Sequence, residues 1–225
     1  SEKNTNLNCE EIDQLELEFN SKNKRQVIDE LRDIDIDNMT PFDALSKLME
    51  LKEKYDAEVT IISMGPAGTM KGLQQALQMG ADKAIYVDDD TLKGANSLMT
   101  ANVLSELAKT TNADIVIFGT ESTDGYSGTV PQQVSRFLNL DCISYVKAIE
   151  IGDDVSLTRQ TSEGSEKVKM PQSCVISVTA GGVEPRYPNF KDIMAAKSKP
   201  IEKVELSTLN ITTEQNLEFM SIEAL

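Results

Sequence analysis

A loop of glycine, serine, threonine and aspartate lies near the middle of the chain, within Ile115–Val130, which reads IVIFGTESTDGYSGTV. Ile115–Phe118 is β-branched and aromatic, as in a strand, and Thr129 and Gln132 have the spacing of a capping box, which predicts a helix starting here. Such a loop offers backbone N–H groups and the positive end of a helix dipole at the carboxyl end of a strand, where anionic nucleotides bind. We therefore take it as the candidate binding site.

An ordinary surface loop is the alternative interpretation. Asp124-Gly125 is a common turn pair, and polar connections between a strand and a helix are frequent at protein surfaces. The sequence of this loop matches neither the phosphate-binding motif that ends in lysine nor the G-x-G-x-x-G fingerprint. Spacing alone therefore leaves both interpretations open.

The residue types that the chain lacks restrict its chemistry. It has 225 residues without histidine or tryptophan, so the commonest general base and zinc ligand are missing. Cys9, Cys142 and Cys174 are too far apart in sequence for a metal motif or a disulfide framework. A net charge of −15 argues against nucleic acid or an anionic membrane as a partner. An enzyme here would need carboxylate, lysine, tyrosine or cofactor chemistry.

The composition is that of a globular protein, with 40% apolar and 26% charged residues. No apolar run approaches the roughly 20 residues of a membrane span, and the first residues do not resemble a signal peptide. We therefore expect a cytoplasmic protein.

Strands and helices alternate in the first half of the chain, which predicts an α/β fold with a parallel sheet, helices on both faces and strand exits along one edge. The predicted strands are Glu58–Ser63, Ala84–Val87 and Asp114–Phe118. The predicted helix faces are Leu45, Leu48, Met49 and Leu51 after the Thr40-Pro41 start signal; Leu73, Ala76 and Leu77; and Leu98, Ala101, Leu104 and Ala108. We expect the aspartates at 88–90 to cap the following helix rather than to bind a metal.

The second half has a different pattern. Ile143–Ile151, Val155–Thr161, Lys167–Met170 and Cys174–Val178 are strand-like and closely spaced, which predicts antiparallel hairpins that extend the sheet. Residues 180–197 predict an irregular loop because they contain paired glycines and two prolines, and the chain from Pro200 onward is expected to be a tail. We divide the chain into an N-terminal segment (1–38), a nucleotide-binding domain (39–200) and a C-terminal arm (201–225).

Five motifs, in this order, resemble the beta subunit of electron-transfer flavoproteins over residues 38–205. They are TPFDAL (Thr40–Leu45), ISMGP (Ile62–Pro66), MGAD (Met79–Asp82), STDGYSGTVP (Ser122–Pro131) and EPRYPNFKDIMAAKSKPI (Glu184–Ile201). The resemblance implies a Rossmann-like fold of the adenine-nucleotide-binding HUP type. Ser1–Asp13 does not resemble the apolar first strand of that family, so no site residue is carried over to that segment.

The resemblance also implies a function and a site. The expected protein is an electron carrier rather than an enzyme by itself, paired with an alpha subunit that holds most of an FAD. This subunit would bind AMP or, in electron-bifurcating members, a second FAD. The implied nucleotide site comprises Thr40, Pro41, Phe42, Asp43, Met64, Thr120, Ser122, Thr123, Asp124, Gly125, Ser127, Gly128, Thr129 and Val130, with Phe42 near the shared flavin. The implied docking site for flavin-dependent dehydrogenases comprises Glu184, Pro185, Arg186, Tyr187, Phe190, Ile193 and Met194, with Phe190 as its apolar anchor.

Two other classes of protein fit an α/β pattern of this kind. A stress-type regulatory domain would bind ATP, form homodimers and have no use for the motif at 184–197. An adenylating enzyme would need a Ser-Gly-Gly pyrophosphate loop near its N-terminus, and the sequence contains none there.

Overall fold

The computed structural model describes residues 45, 48, 49, 51–65, 70–122, 125–151, 154–179, 188 and 190–211. The chain divides into two units, Ser1–Asn38 and Met39–Leu225, and all described residues belong to the second. Ser1–Asp13 and the predicted helix start at Thr40-Pro41 lie outside these residues.

The described elements alternate between helix and strand up to residue 138 and are mostly strands after it. In chain order they are α1 (residues 45, 48, 49 and 51–55), β1 (Thr60–Gly65), α2 (Met70–Gln78), β2 (Lys83–Asp88), α3 (Ser97–Thr111), β3 (Ile115–Gly119), α4 (Val130–Leu138), β4 (Asp141–Ile151), β5 (Val155–Thr161), β6 (Gly164–Lys169), β7 (Cys174–Val178), α5 (Phe190–Ala196) and β8 (Ile201–Lys203). Short 3₁₀ helices cover Asp90–Leu92 and Leu206–Thr208.

The first sheet is parallel and has helices on both faces, as predicted. Its strand order is β1-β2-β8. Successive side chains of a strand point to opposite faces, so Ala84 and Tyr86 pack with α1 and α2, whereas Ile85 and Val87 pack with α3. This near-continuous apolar run is typical of a strand buried on both faces.

The second sheet has the strand order β3-β7-β4-β5-β6. The pairs β4-β5 and β5-β6 are antiparallel, which confirms the predicted extension. The prediction of a hairpin for Cys174–Val178 was wrong, because β7 lies between β3 and β4 and is parallel to both. All five residues of β7 are buried, as the centre of a parallel sheet requires.

The prediction that β1, β2 and β3 share one sheet was also wrong for the described residues, where β3 pairs with β7 and β1 pairs with β2. Apolar packing connects the two sheets instead, since Ile62 of β1 lies against the cluster formed by Ala108, Val116 and Val175. Helix α3 contributes to this cluster as well as to the first sheet, and it therefore links both.

The buried face of α3 differs from the predicted one. Leu98 is 55% exposed, while Met99, Val103 and Leu107 pack on β2 and Ala108 packs on the second sheet. The periodicity is helical in either case, but a helix between two sheets buries two stripes instead of one. The predicted faces of α1 and α2 are confirmed, since Leu45, Met49, Leu51, Leu73 and Leu77 are buried.

Asp89 caps the 3₁₀ helix that follows β2, in agreement with the predicted role of the aspartate triplet. Its carboxylate accepts hydrogen bonds from the N–H (2.9 Å) and the hydroxyl (2.6 Å) of Thr91. These bonds hold the pKa of Asp89 below its ordinary value.

Asp82, the last residue of the MGAD motif, fastens the start of β2 to α1 and β1. Its carboxylate accepts a hydrogen bond from the N–H of Val59 (2.8 Å) and forms an ion pair with Lys52. Lys52 also donates to the carbonyl of Gly80 (2.9 Å). Burial alone would raise the pKa of Asp82, but the bonds from Lys52 and Val59, together with the charges of Lys52 and Lys199, lower it.

Lys199, from the AAKSKP segment, extends this arrangement by donating to the carbonyl of Leu77 at the end of α2 (3.0 Å). A cation there satisfies a terminal carbonyl and interacts favourably with the negative end of the helix dipole. The MGAD motif, through Asp82, and the motif at Glu184–Ile201, through Lys199, therefore both stabilise the chain around the end of α2.

Asp82→Asn should lower the free energy of unfolding by about 1–2 kcal/mol near neutral pH, because it removes a charge-assisted acceptor that is 37% exposed. A carboxyl whose pKa is lowered on folding stabilises the fold fully above its unfolded pKa and loses that contribution as the pH falls through the folded pKa. The difference between the two proteins should therefore shrink below about pH 4, measured by urea unfolding. A difference that is constant down to acid pH would contradict the assignment.

Residues 190–211 are more ordered than predicted. Phe190–Ala196 is a helix where an irregular loop was expected, and Ile201–Lys203 joins the first sheet where a tail was expected. Leu206, Leu209 and Ile211 then pack against the apolar cluster of α3. Short segments such as these have little periodicity, and β8 is stabilised by its pairing with β2. Across the described residues, we find no helix with the length and apolar character that crossing a bilayer demands.

Candidate functional site

The candidate loop connects β3 to α4, as predicted from the sequence. Helix α4 begins at Val130 with Thr129 as its N-cap, which confirms the predicted start. The capping-box prediction was wrong, because Thr129 makes no side-chain cap hydrogen bond. Pro131 occupies the second helical position, where it supplies no N–H group, so the helix end depends on the N–H groups that precede it.

The loop turns back on itself at Ser122. The hydroxyl oxygen of Ser122 accepts a hydrogen bond from the N–H of Gly125 (3.3 Å), and its carbonyl accepts one from the N–H of Tyr126 (3.1 Å). Tyr126 is 71% exposed and has a left-handed φ of 46°, which is uncommon for a bulky residue and is typical of functional loops. Thr123 and Asp124 lie outside the described residues.

Gly128 also has a left-handed backbone, with a φ of 62°. A Cβ at this position would lie 3.3 Å from Oε1 of Glu121 and 3.4 Å from its Cγ. The left-handed backbone therefore favours glycine, and any larger residue would also have to displace the side chain of Glu121 by a few tenths of an ångström.

The end of the loop presents backbone donors. Within the described ranges, none of the N–H groups of Ser127, Gly128, Thr129 and Val130 donates to a protein acceptor. Consecutive N–H groups before a helix form a concave site for an anion, and the helix dipole adds to the attraction.

Two buried polar side-chain atoms without a hydrogen-bond partner belong to residues that flank the loop. Among the described residues, the only such side-chain atoms are Oγ1 of Thr120, Oε1 of Gln133 and Nε of Arg159. The last lies 3.9 Å from a Glu166 carboxylate. Thr120 directly follows β3, and Gln133, whose Nε2 donates to the hydroxyl of Ser97 (3.4 Å), is in the first turn of α4. Buried polar atoms normally have partners, so a hydroxyl and an amide oxygen without them suit a polar ligand.

A bulge in β4 lies level with the end of β3. Val178 of β7 pairs with Gly119 on one side and Val146 on the other, so the bulge is about 10 Å, two strand spacings, from the loop. Tyr145 in the bulge has a φ of 61° and is 42% exposed, and its N–H donates to the buried hydroxyl of Ser177 (3.1 Å).

Sequence reasoning missed these surroundings. The strands next to β3 carry Ser144, Tyr145 and Ser177, because β7 lies between β3 and β4. No local sequence pattern encodes this strand order. The one available signal was the small polar Ser177 inside the apolar run of β7, since a hydroxyl in a buried strand must have a partner.

The remaining predicted nucleotide residues do not belong to the loop. Met64 lies in β1 and packs against the apolar cluster of α3, and Thr40–Asp43 lie outside the described residues.

Burial raises the pKa of the Cys174 thiol to about 11, which makes this cysteine a poor nucleophile. The described residues of the loop offer backbone N–H groups and polar side chains, which are suited to binding an anion.

The predicted docking segment is described only from Pro188 onward, with residue 189 excepted. Phe190 is 80% exposed and Met194 is 50% exposed, one helical turn apart on α5, while Ile193 is half-buried. Phe190 and Met194 are therefore surface residues and not buried loop residues. Glu184, Pro185, Arg186 and Tyr187 lie outside the described residues.

Fold and site together define a Rossmann-like α/β domain with anion-binding features where a parallel strand enters a helix. Residues 27–209 match the family described as the electron transfer flavoprotein domain. Three similar proteins carry the name electron transfer flavoprotein subunit beta. The protein from Mycobacterium tuberculosis H37Rv is 32% identical, and the match covers 76% of this chain and 67% of that protein. The protein from Bacillus subtilis 168 is 32% identical, with 78% of this chain and 70% of that protein covered. The protein from Dictyostelium discoideum is 31% identical, with 83% of this chain and 75% of that protein covered. The chain belongs to the electron transfer flavoprotein beta subunit family, which confirms the resemblance seen in the motifs.

Proposed function

We propose that this chain binds an adenine nucleotide, AMP or a second FAD, at the β3–α4 loop, and pairs with an alpha subunit that holds most of the working FAD. The subunit is a carrier component and not an enzyme by itself. It supplies nucleotide binding, shape and docking, and the bound flavin supplies the electron-transfer chemistry.

The observation that carries this proposal is the coincidence of unpaired donors and buried unpaired polar atoms at one strand–helix junction. The N–H groups of Gly128 and Thr129 suit a phosphate, and the hydroxyl of Thr120 suits a further polar group of the nucleotide. Ser122 can also donate its hydroxyl hydrogen, since only its oxygen is used in the turn. Met64, Thr123, Asp124 and Thr40–Asp43 complete the proposed site by family resemblance alone.

We also propose that residues 184–197 dock flavin-dependent dehydrogenases, with Phe190 as the anchor. The support is its 80% exposure beside the half-exposed Met194, because a large apolar side chain on the surface is typical of an interface. A cytoplasmic location remains part of the same proposal.

Identification of the bound nucleotides tests the proposal directly. The chain is co-expressed with its neighbouring subunit genes, purified and denatured, and the released nucleotides are separated by chromatography and measured by absorbance. One FAD and one AMP for each heterodimer would support a simple carrier, and two FAD would support a bifurcating type. ATP without flavin, or neither nucleotide nor partner, would contradict the proposal and favour a regulatory domain.

A further inference from the structure

The side chain of Gln132, in the first turn of α4, connects the candidate loop to β4. Its amide group lies 3.1 Å from the carbonyl oxygen of Gly128, 3.0 Å from that of Thr129 and 3.0 Å from the hydroxyl of Ser144. Carbonyl oxygens only accept hydrogen bonds, so the NH₂ group faces the two carbonyls and Oε1 accepts from Ser144.

We propose that Gln132 is the positioning residue of the anion site, an inference that rests on the function proposed above. In a trans peptide the C=O and the following N–H point in opposite directions. The carbonyl of Thr129 also accepts the first backbone hydrogen bond of the helix, from the N–H of Gln133 (3.1 Å), so the carbonyl that depends on Gln132 is that of Gly128. Because Gln132 holds this carbonyl toward the helix, the N–H of Thr129 in the same peptide points away from it. Without the hydrogen bond from Gln132, the carbonyl of Gly128 could rotate toward the ligand, and its negative oxygen would repel a phosphate.

This role differs from that of a capping-box glutamine. A capping-box side chain accepts a hydrogen bond from the N–H of the N-cap residue and thereby removes that donor from any ligand. Gln132 donates to carbonyls, and the N–H of Thr129 is without a protein acceptor in the described part of the chain. Since Pro131 contributes no N–H, the direction of the Thr129 N–H, one of the two donors proposed for the phosphate, affects whether the helix end can hold an anion.

Gln132→Glu separates this role from helix stability. A carboxylate at the third helical position favours the helix through its dipole and can accept from the N–H of Thr129, so the melting temperature should be kept or raised. The same carboxylate repels the two carbonyls and the phosphate, and we expect the Kd for AMP, measured by calorimetry, to rise about tenfold or more. The ratio of the Kd values should narrow only as the pH falls toward about 4, because a glutamate, with an ordinary pKa of about 4.3, regains a donor only when it is protonated.

Gln74→Glu is the matched control, since it adds the same charge at an exposed position of α2. It should leave the Kd for AMP unchanged. Ser144→Ala is the second variant, which removes the hydroxyl that orients the Gln132 amide and should raise the Kd about threefold whether or not Gln132→Glu folds.

The outcomes distinguish the inference from the proposed function. If the unmodified protein binds AMP and both the Gln132→Glu and Ser144→Ala proteins bind it equally well, the positioning role is overturned and the nucleotide site stands. If the unmodified protein binds neither AMP nor FAD nor inorganic phosphate, the proposed function fails and the positioning role fails with it.

Discussion

Gly128→Val should lower the nucleotide content of the purified protein at least tenfold without unfolding either sheet. A β-branched residue at a φ of 62° costs about 1–2 kcal/mol, and its Cβ would also displace the carboxylate of Glu121, 3.3 Å away. The loop relieves both conflicts by rotating its backbone, which turns the N–H groups of Gly128 and Thr129 away from the phosphate position. The measurement is the amount of nucleotide released on denaturation, relative to protein.

Gly164→Val is the matched control for this substitution. Gly164 also has a positive φ, 138°, but a Cβ there would meet nothing within 4 Å, and the residue lies in the β5–β6 hairpin. A φ of 138° is reached almost only by glycine, so valine should cost at least as much backbone strain there as at position 128, yet it should leave the nucleotide content at the level of the unmodified protein. Equal nucleotide content in both variants would count against the loop as the binding site.

The fold could be predicted from the sequence where local patterns determine it. The buried stripes of α1 and α2, the strand runs around Ile85 and Val116, and the helix start at Val130 all depend on spacings of two to four residues. The position of β7 and the two buried stripes of α3 depend on pairings between distant segments. Such pairings are set by the packing of the whole domain, and Leu98, which fits a helical stripe, is exposed for this reason.

The candidate site shows the same division. The loop itself was recognisable because glycine, serine and threonine between a strand and a helix are local signals. Gln132 was recognised only as a cap, because its partners include Ser144, which a turn and part of β4 separate from it. The left-handed Tyr126 and Tyr145 had no sequence signal, since tyrosine has no preference for that conformation.

Phe190→Asp should raise the KM for this carrier in electron transfer from a flavin-dependent dehydrogenase by about thirtyfold, with nucleotide content unchanged. An anchor residue of an interface contributes about 2 kcal/mol or more, and Phe190 is the most exposed large apolar side chain among the described residues. Because α5 places Met194 one turn away and 50% exposed, Met194→Asp should give a smaller effect in the same direction. Steady-state reduction kinetics at varied carrier concentration measure both effects.

Tyr55→Asp is the control for a general effect of replacing a surface aromatic residue by a charge. Tyr55 is 49% exposed and lies in α1, outside the segment 184–197, so its replacement should leave the KM unchanged. If Phe190→Asp and Tyr55→Asp raise the KM equally, the added negative charge and not the loss of an anchor is responsible. An unchanged KM for Phe190→Asp would mean that dehydrogenases dock elsewhere. The exposed apolar residues of α5 would then be expected to bind a different partner, and the alpha subunit would be the first to test.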